Sequence, residues 1–234
     1  MLILAFETSA KAGSVALLDG DKLLGESYQN TGLTHSQTVM AMAQSLITHC
    51  GYTPQDIEAV AVAAGPGSFT GIRIGVAAAK GFAWGKELPC YGVSTLEAMA
   101  QNLGVWQGYV LPVMDARRNQ VYTATFRAEQ GKLTRLTEDR AISLEELGEE
   151  IKILDFPVFL VGDGSILCYN TLQKTVPGLI LPPEHRMHQR AAGVGLAAWQ
   201  KIAAGEPGDG ASLTPNYLRL SQAERERLAR EKKD

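Results

Sequence analysis

Two acidic turns and two glycine turns carry the chemistry this sequence can offer. Glu7-Thr8-Ser9 follows an apolar run at residues 2–6, and Asp115-Ala-Arg117 follows another at 109–114. Gly65-Pro-Gly67-Ser68 ends an apolar run at 59–64, and Gly162-Asp-Gly164-Ser165 ends one at 158–161. A carboxylate at the end of a strand can order waters around a cation, or it can simply accept the N–H bonds of its own turn. A glycine turn that feeds a helix exposes N–H groups, and those attract anions. Glu7, Thr8, Ser9, Gly65, Gly67, Ser68, Asp115, Gly162 and Gly164 are therefore the candidates for lying near a nucleotide. Arg117 and Arg118 either contact phosphate or pair with an acid, and pairing is the expectation.

The glycine run Gly65-Pro-Gly-Ser-Phe-Thr-Gly-Ile-Arg-Ile-Gly75 completes no standard phosphate loop. Gly71 is followed by Ile72 where such a loop needs lysine. Thr70 stands where a dinucleotide fingerprint needs its third glycine, and Gly71 comes one residue late. The same glycines suit a tight strand-to-helix turn or a helix lying close to a neighbour. The helix expected at 71–85 contains Gly71, Gly75, Gly81 and Gly85. Each interior glycine costs roughly 1 kcal/mol relative to alanine, so close packing must offset the loss. Its apolar residues lie on more than one side, which calls for cover on more than one face.

Other chemistry is thin. Cys50, Cys90 and Cys168 are scattered, without metal-ligand spacing, and read as reduced thiols. His185 and His188 stand beside Glu184 in what reads as a solvated polar loop, and His35 reads as a cap or contact at a helix start. No Ser/His/Asp set is legible.

The elements that must position these turns occur twice. Strands at 2–6, 14–18 and 22–29 precede a helix at 35–50, the strand at 59–64 and the first glycine turn. Strands at 109–114, 121–127 and 132–136 precede a helix opened by Ser143 with Glu146 three residues on. That helix runs to 152, and the strand at 158–161 and the second glycine turn follow. Acidic turn matches acidic turn, Asp-Lys-Leu at 21–23 matches Gly-Lys-Leu at 131–133, and Gly-x-Gly-Ser matches Gly-x-Gly-Ser. This is an α/β fold of duplicated β-β-β-α-β lobes, with the turns facing a cleft. The lobes are expected at 1–106 and 107–221. A helix at 190–204 closes the second and packs back toward the first, and a charged tail occupies 222–234.

In the helix at 35–50, Val39, Ala43, Leu46, Ile47 and Cys50 form one apolar stripe. Met40 and Leu33 lie off it among Ser36, Gln37 and Gln44, a mixture that suits either an adaptable partner surface or a broad core face. The chain of 234 residues has a net charge of −3, which argues against strong nucleic-acid binding by this chain alone. No apolar run reaches the ~18 residues of a membrane span. The N-terminal run stops at Glu7 and reads as a strand, not a signal peptide.

The lobed arrangement resembles the acetate and sugar kinase/Hsp70/actin (ASKHA) superfamily. Leu2-Ile-Leu-Ala-Phe-Glu-Thr-Ser9, the glycine run 65–75 and Thr214-Pro-Asn-Tyr-Leu-Arg219 resemble the TsaB (YeaZ) family over essentially the whole chain. The resemblance implies a cytoplasmic, non-catalytic partner of TsaD in tRNA threonylcarbamoyladenosine synthesis. TsaD would transfer threonylcarbamoyl from threonylcarbamoyl-AMP to N6 of the adenosine next to the anticodon. It also implies the ATPase TsaE as third member, a homodimer when alone, tRNA met through the complex, and no required cofactor, with ATP or ADP allowed at the partner interface. Aligned through Pro89 and Glu97, Thr95 and Met99 fall where the paralogue TsaD carries a His-x-x-x-His metal pair, and both are poor ligands. The helices at 35–50 and 71–85 are the expected interface, through Leu33, Ser36, Gln37, Met40, Gln44, Gly71, Ile74, Gly75 and Ala78. The rival readings are a small-molecule kinase using ATP and Mg²⁺ in the cleft, and a peptidase.

Overall fold

A computed structural model describes residues 1–104, 106–155 and 157–219. The charged tail expected at 222–234 lies outside the described residues.

The first lobe is built on β1 (Leu2–Glu7), β2 (Gly13–Asp19) and β3 (Lys22–Gln29), an antiparallel meander. After α1 (His35–His49), β4 (Ala59–Gly65) lies parallel to β1. After α2 (Phe69–Trp84), β5 (Cys90–Ser94) extends the sheet, giving the order β3-β2-β1-β4-β5. The chain then enters α3 (Thr95–Gln101). The central strands read as continuous apolar runs because both of their faces are covered. Leu2, Leu4 and Phe6 pack with Val39, Ile47, Ile72 and Val76 of α1 and α2. Ile3 and Ala5 point the other way, as the two-residue period of a strand requires, into a second cluster with Ala59, Ala61 and Ala63.

The second lobe repeats the plan. β6 (Gly108–Arg117) is its central strand, followed by β7 (Gln120–Thr123), β8 (Phe126–Glu129), β9 (Lys132–Arg135) and β10 (Arg140–Ser143). Then come α4 (Leu144–Lys152), β11 (Val158–Val161), α5 (Ser165–Leu172), β12 (Leu179–Ile180) and α6 (Glu184–Met187). The path β10-β7-β6-β11-β12 matches the order of the first sheet. The capping box at α4 is the expected one: Glu146 N donates to Ser143 Oγ at 3.1 Å, and Ser143 N donates to Glu146 Oε2 at 2.8 Å.

One strand differs from expectation. The run expected as a single strand at 121–127 is broken into β7 and β8. β7 pairs with Val113–Arg117 of β6 and β8 with Gly108–Val110. The cause is Thr125, which turns out of the ladder: its N donates to Thr137 Oγ1 at 2.8 Å, and its carbonyl accepts from Leu136 N, also at 2.8 Å. The returning strand breaks opposite it, into β9 and β10, and runs on to Ser143 rather than stopping at 136.

The last helix among the described residues, α7 (Ala191–Ala203), follows the second lobe in sequence but lies on the first sheet, where Ala191, Val194, Ala197 and Ala198 meet the small residues of β4. Between the lobes, α3 serves both. Leu96, Met99, Ala100 and Leu103 pack on Val110, Met114, Phe126 and Val161, while Ala98 joins the α7 cluster. Arg135 ties Glu97 (3.1 Å) to Asp139 (2.7 Å), and Ser94 Oγ donates to Asp139 Oδ2 at 2.6 Å. The cleft is therefore framed by two sheets held in register through one short helix.

Candidate functional site

The two acidic turns have the same internal bond. Glu7 Oε1 accepts from Ser9 N at 2.6 Å, and Asp115 Oδ1 accepts from Arg117 N at 2.7 Å. Each carboxylate thus shapes its own turn. Glu7 is fully buried, and its Oε2 has no partner in the protein. Burial pushes its carboxyl up to about 7, with the Ser9 side chain and then the Ser9 N–H opposing and neighbouring Asp163 adding. Asp163 is raised as well, by burial first, although Gln189 Nε2 donates to it at 2.9 Å. Glu7, Asp163 and Asp115 form an acidic floor.

Close approach explains the glycine turns. Gly65 has φ +126°, and a Cβ on it would lie 2.3 Å from the carbonyl oxygen of Asn216. Ser68 N donates to Ser9 O at 2.6 Å, so that N–H is engaged within the protein. Ser68 Oγ caps α2 by accepting from Gly71 N at 3.3 Å. In the second lobe, Gly162 N donates to Met187 O and Gly164 N to Val113 O, at 2.6 Å and 3.0 Å.

Residues 214–219 close the site in a way that periodicity alone does not reveal. Asn216 N donates to Ala64 O at 2.6 Å, at the end of β4. Tyr217 stacks on Phe69 with centroids 4.8 Å apart, and its hydroxyl accepts from Arg73 Nε at 2.8 Å. Arg219 reaches the second lobe, donating to Ala116 O at 2.7 Å. Ser9, Lys11, Phe69, Asp115, Asp163 and Tyr217 are among the residues around the resulting cavity of about 540 Å³. Arg117, Arg118 and Asn119 all have positive φ, between 56° and 66°. Such a conformation costs roughly 1–2 kcal/mol per non-glycine residue. Arg117 meets Asp115 at 3.6 Å, the expected pairing, while its side chain remains 86% exposed.

The expected interface splits. Leu33 (59% exposed) stands just before α1, and Met40 (44%), Ser36, Gln37 and Gln44 lie on its open side. Ile74 and Ala78 are half-buried against the core. Gly71 and Gly75, expected on the partner face, instead face inward. Cβ atoms there would lie 2.1 Å from Thr8 O and 2.3 Å from Thr8 Oγ1. The reason is that Thr8 Oγ1 donates to Gly71 O at 2.8 Å, which draws α2 onto the acidic turn. The open strip of α2 consists of Arg73, Ala77, Gly81 and Trp84. Trp84 is 84% exposed, and a Cβ on Gly81 would touch nothing within 4 Å.

Thr95 and Met99 lie one helical turn apart and are both fully buried, Met99 within the interlobe core. His188 Nε2 pairs with Glu184 at 2.9 Å on the surface, and His35 Nε2 contacts Ala10 O at 2.7 Å. Among the described residues, no three His, Cys, Asp or Glu side chains are grouped so as to hold a metal ion. Burial pushes the thiols of Cys90 and Cys168 up to about 11 and about 12, which keeps them protonated and unreactive. No helix among the described residues is long and apolar enough to cross a membrane.

A family model described as TsaD, tRNA N6-adenosine threonylcarbamoyltransferase, matches residues 29–227. A Bacillus subtilis protein named tRNA threonylcarbamoyladenosine biosynthesis protein TsaB is 35% identical over 227 residues, 96% of each chain. The solved structure of YeaZ from Pseudomonas aeruginosa superposes with a TM-score of 0.77 at 26% identity, covering 93% of this chain and 99% of that one. Component A of the Acidaminococcus fermentans (R)-2-hydroxyglutaryl-CoA dehydratase shares the fold, with a TM-score of 0.52 at 12% identity. The two repeated lobes are of the ASKHA type. On sequence and architecture together, the chain belongs to the TsaB (YeaZ) family.

Proposed function

We propose that this chain is a non-catalytic partner that binds and activates TsaD in tRNA threonylcarbamoyladenosine synthesis. TsaD transfers the threonylcarbamoyl group from threonylcarbamoyl-AMP to N6 of the adenosine next to the anticodon, in tRNAs reading codons that begin with A. TsaE is the third member, the chain pairs with itself when alone, and the complex works in the cytoplasm. ATP or ADP, where it enters, sits at the partner interface.

The observation that carries this reading is the open face of α1 and α2. Leu33, just before α1, and Met40 on α1 stand exposed, and Trp84 stands exposed on the strip of α2 that carries the small Ala77 and Gly81. Large apolar side chains next to small ones form the knobs and recesses that a partner helix needs. The acidic floor supports the same reading, because Glu7 and Asp115 are engaged in their own turns.

The test is a reconstituted threonylcarbamoylation reaction supplied with the adenylate. Product is expected only when both this chain and TsaD are present. Equal product from TsaD without this chain overturns the reading. Gly81→Glu separates folding from association: the open space at that position admits the side chain, while a charge in the helix face blocks pairing. The melting temperature should hold, and the complex with TsaD should vanish on size exclusion.

A further inference from the structure

We propose that the mouth of the interlobe cleft binds a single-stranded segment of RNA. Tyr217 serves as the platform for a base, and Lys11, Arg117 and Arg118 hold the flanking phosphates. The identity of the polymer as RNA rests on the proposed function above; the chemistry of the mouth does not.

The chain carries a net charge of −3, yet cations gather at this opening. Lys11, Arg117 and Arg219 line it, and Arg118 follows Arg117 in the same tight turn. Lys11, Arg117 and Arg118 are exposed, and the pairing of Arg117 with Asp115 is loose at 3.6 Å. The turn holds three consecutive non-glycine residues at positive φ, which fixes where both guanidinium groups leave the backbone.

Beside them stands an ordered aromatic pair. Arg73 lies 3.8 Å over the Phe69 ring, Phe69 stacks on Tyr217 with the planes 27° apart, and Arg73 Nε holds the Tyr217 hydroxyl. Tyr217 is nevertheless 38% exposed. A ring already held by a stack and a hydrogen bond loses little freedom when a base stacks on it, and stacking of this kind tolerates any base.

Charge favours a polymer over a free nucleotide. Asp115 and Asp163 line the cavity, and the buried carboxyl of Glu7 lies close to Asp163. That floor repels phosphates entering the depth of the cavity, whereas the rim attracts them. A backbone running across the mouth satisfies the rim without entering the floor. The acidic net charge sets the scale: this surface adds to the RNA affinity of a complex and binds RNA weakly by itself.

The test measures binding of fluorescein-labelled unmodified tRNA to the full chain in complex with TsaD, and to the chain alone at low salt, over a series of salt concentrations. Arg117→Gln with Arg118→Gln should weaken binding and make the salt dependence shallower, by about 0.7 in log–log slope for each phosphate no longer neutralised. Tyr217→Leu should weaken binding about tenfold, and Tyr217→Phe should keep most of the affinity, since stacking needs the ring. The arginine pair is on an exposed turn, so its result stands even if Tyr217→Leu lowers the melting temperature. Unchanged affinity and slope in the arginine variant overturn the proposal. So does a failure of that variant to bind TsaD while its RNA affinity stays intact, which would make this rim a protein interface. ATP binding that disappears in the arginine variant while RNA binding persists overturns it too. Reconstitution that proceeds without the chain is a failure of the partner reading, and RNA affinity of the chain alone separates that failure from this one.

Discussion

Gly75→Leu is expected to destabilise the chain severely rather than to block pairing. The first atom of the new side chain would lie 2.3 Å from Thr8 Oγ1 and 3.3 Å from Val62 Cγ2, inside van der Waals contact with the first. Val62 belongs to a fully buried strand and cannot move aside. Thr8 Oγ1 donates to Gly71 O, so displacing it breaks a buried bond as well. Overpacking costs roughly 1–3 kcal/mol, and a buried group stripped of its partner roughly another 1–3 kcal/mol. A loss of about 4 kcal/mol is a large share of the ~5–15 kcal/mol that holds a typical domain together. Urea unfolding checks it through a large fall in midpoint. The contrast with Gly81 makes the test sharp. At Gly81 a side chain meets nothing, and leaving glycine gains up to about 1 kcal/mol of helix propensity. A folded, unpaired Gly75→Leu protein would return the interface to the inward side of α2.

The contrast between these two glycines also marks what sequence could and could not reveal. The β-β-β-α-β repeat was legible because strands covered on both faces leave long apolar runs, and because the turns between them recur in type. Ser143 and Glu146 announced α4, since a capping box is a local bond between residues three apart. The strand break at Ala124-Thr125 was invisible, because it depends on Thr137, twelve residues away. Which glycines of α2 face the sheet was equally hidden. Gly71 and Gly75 differ from Gly81 through Thr8, which lies on another strand end. A spacing of four residues says that Gly71 and Gly75 share a face; it does not say what that face meets.

The candidate site follows the same rule. Glu7 and Asp115 stood out by type and position, and the structure adds that each accepts the N–H two residues on. Asp163 was present in the sequence as the middle of a glycine turn, but its role in the floor depends on Gln189, which no motif marks. The run 214–219 was conspicuous only by resemblance. It has no regular period, and its partners, Ala64, Phe69, Arg73 and Ala116, come from both lobes. A segment that gains its structure entirely from long-range contacts leaves no local signal to read.

Replacing Glu7 with glutamine should stabilise the chain above neutral pH and leave tRNA modification intact. Burial pushes the folded carboxyl up to about 7 from an ordinary value of 4.5, so the folded state holds this proton more tightly than the unfolded chain. Stability from that difference is fully present below about pH 4.5. It falls as pH rises, and is gone above about 7, where a charged Glu7 must sit buried with one oxygen unpartnered. Asp163 is shifted in the same direction and adds to the slope. At 1.36 kcal/mol per pH unit, the Glu7 share approaches about 3 kcal/mol at pH 8. Glu7→Gln keeps an acceptor for Ser9 N and carries no charge, so its gain in melting temperature should be large at pH 8 and small at pH 5. A wild-type stability that rises between pH 5 and 8 contradicts the buried carboxyl. The same variant separates the two functional readings. A partner that only shapes TsaD loses nothing when Glu7 becomes neutral, whereas a kinase that needs the carboxylate to order a cation loses turnover by a hundredfold or more, about 2.7 kcal/mol in the barrier. Full modification activity with Glu7→Gln in the reconstituted complex keeps the chemistry in TsaD, and a loss of that size with the complex intact moves it into this cleft.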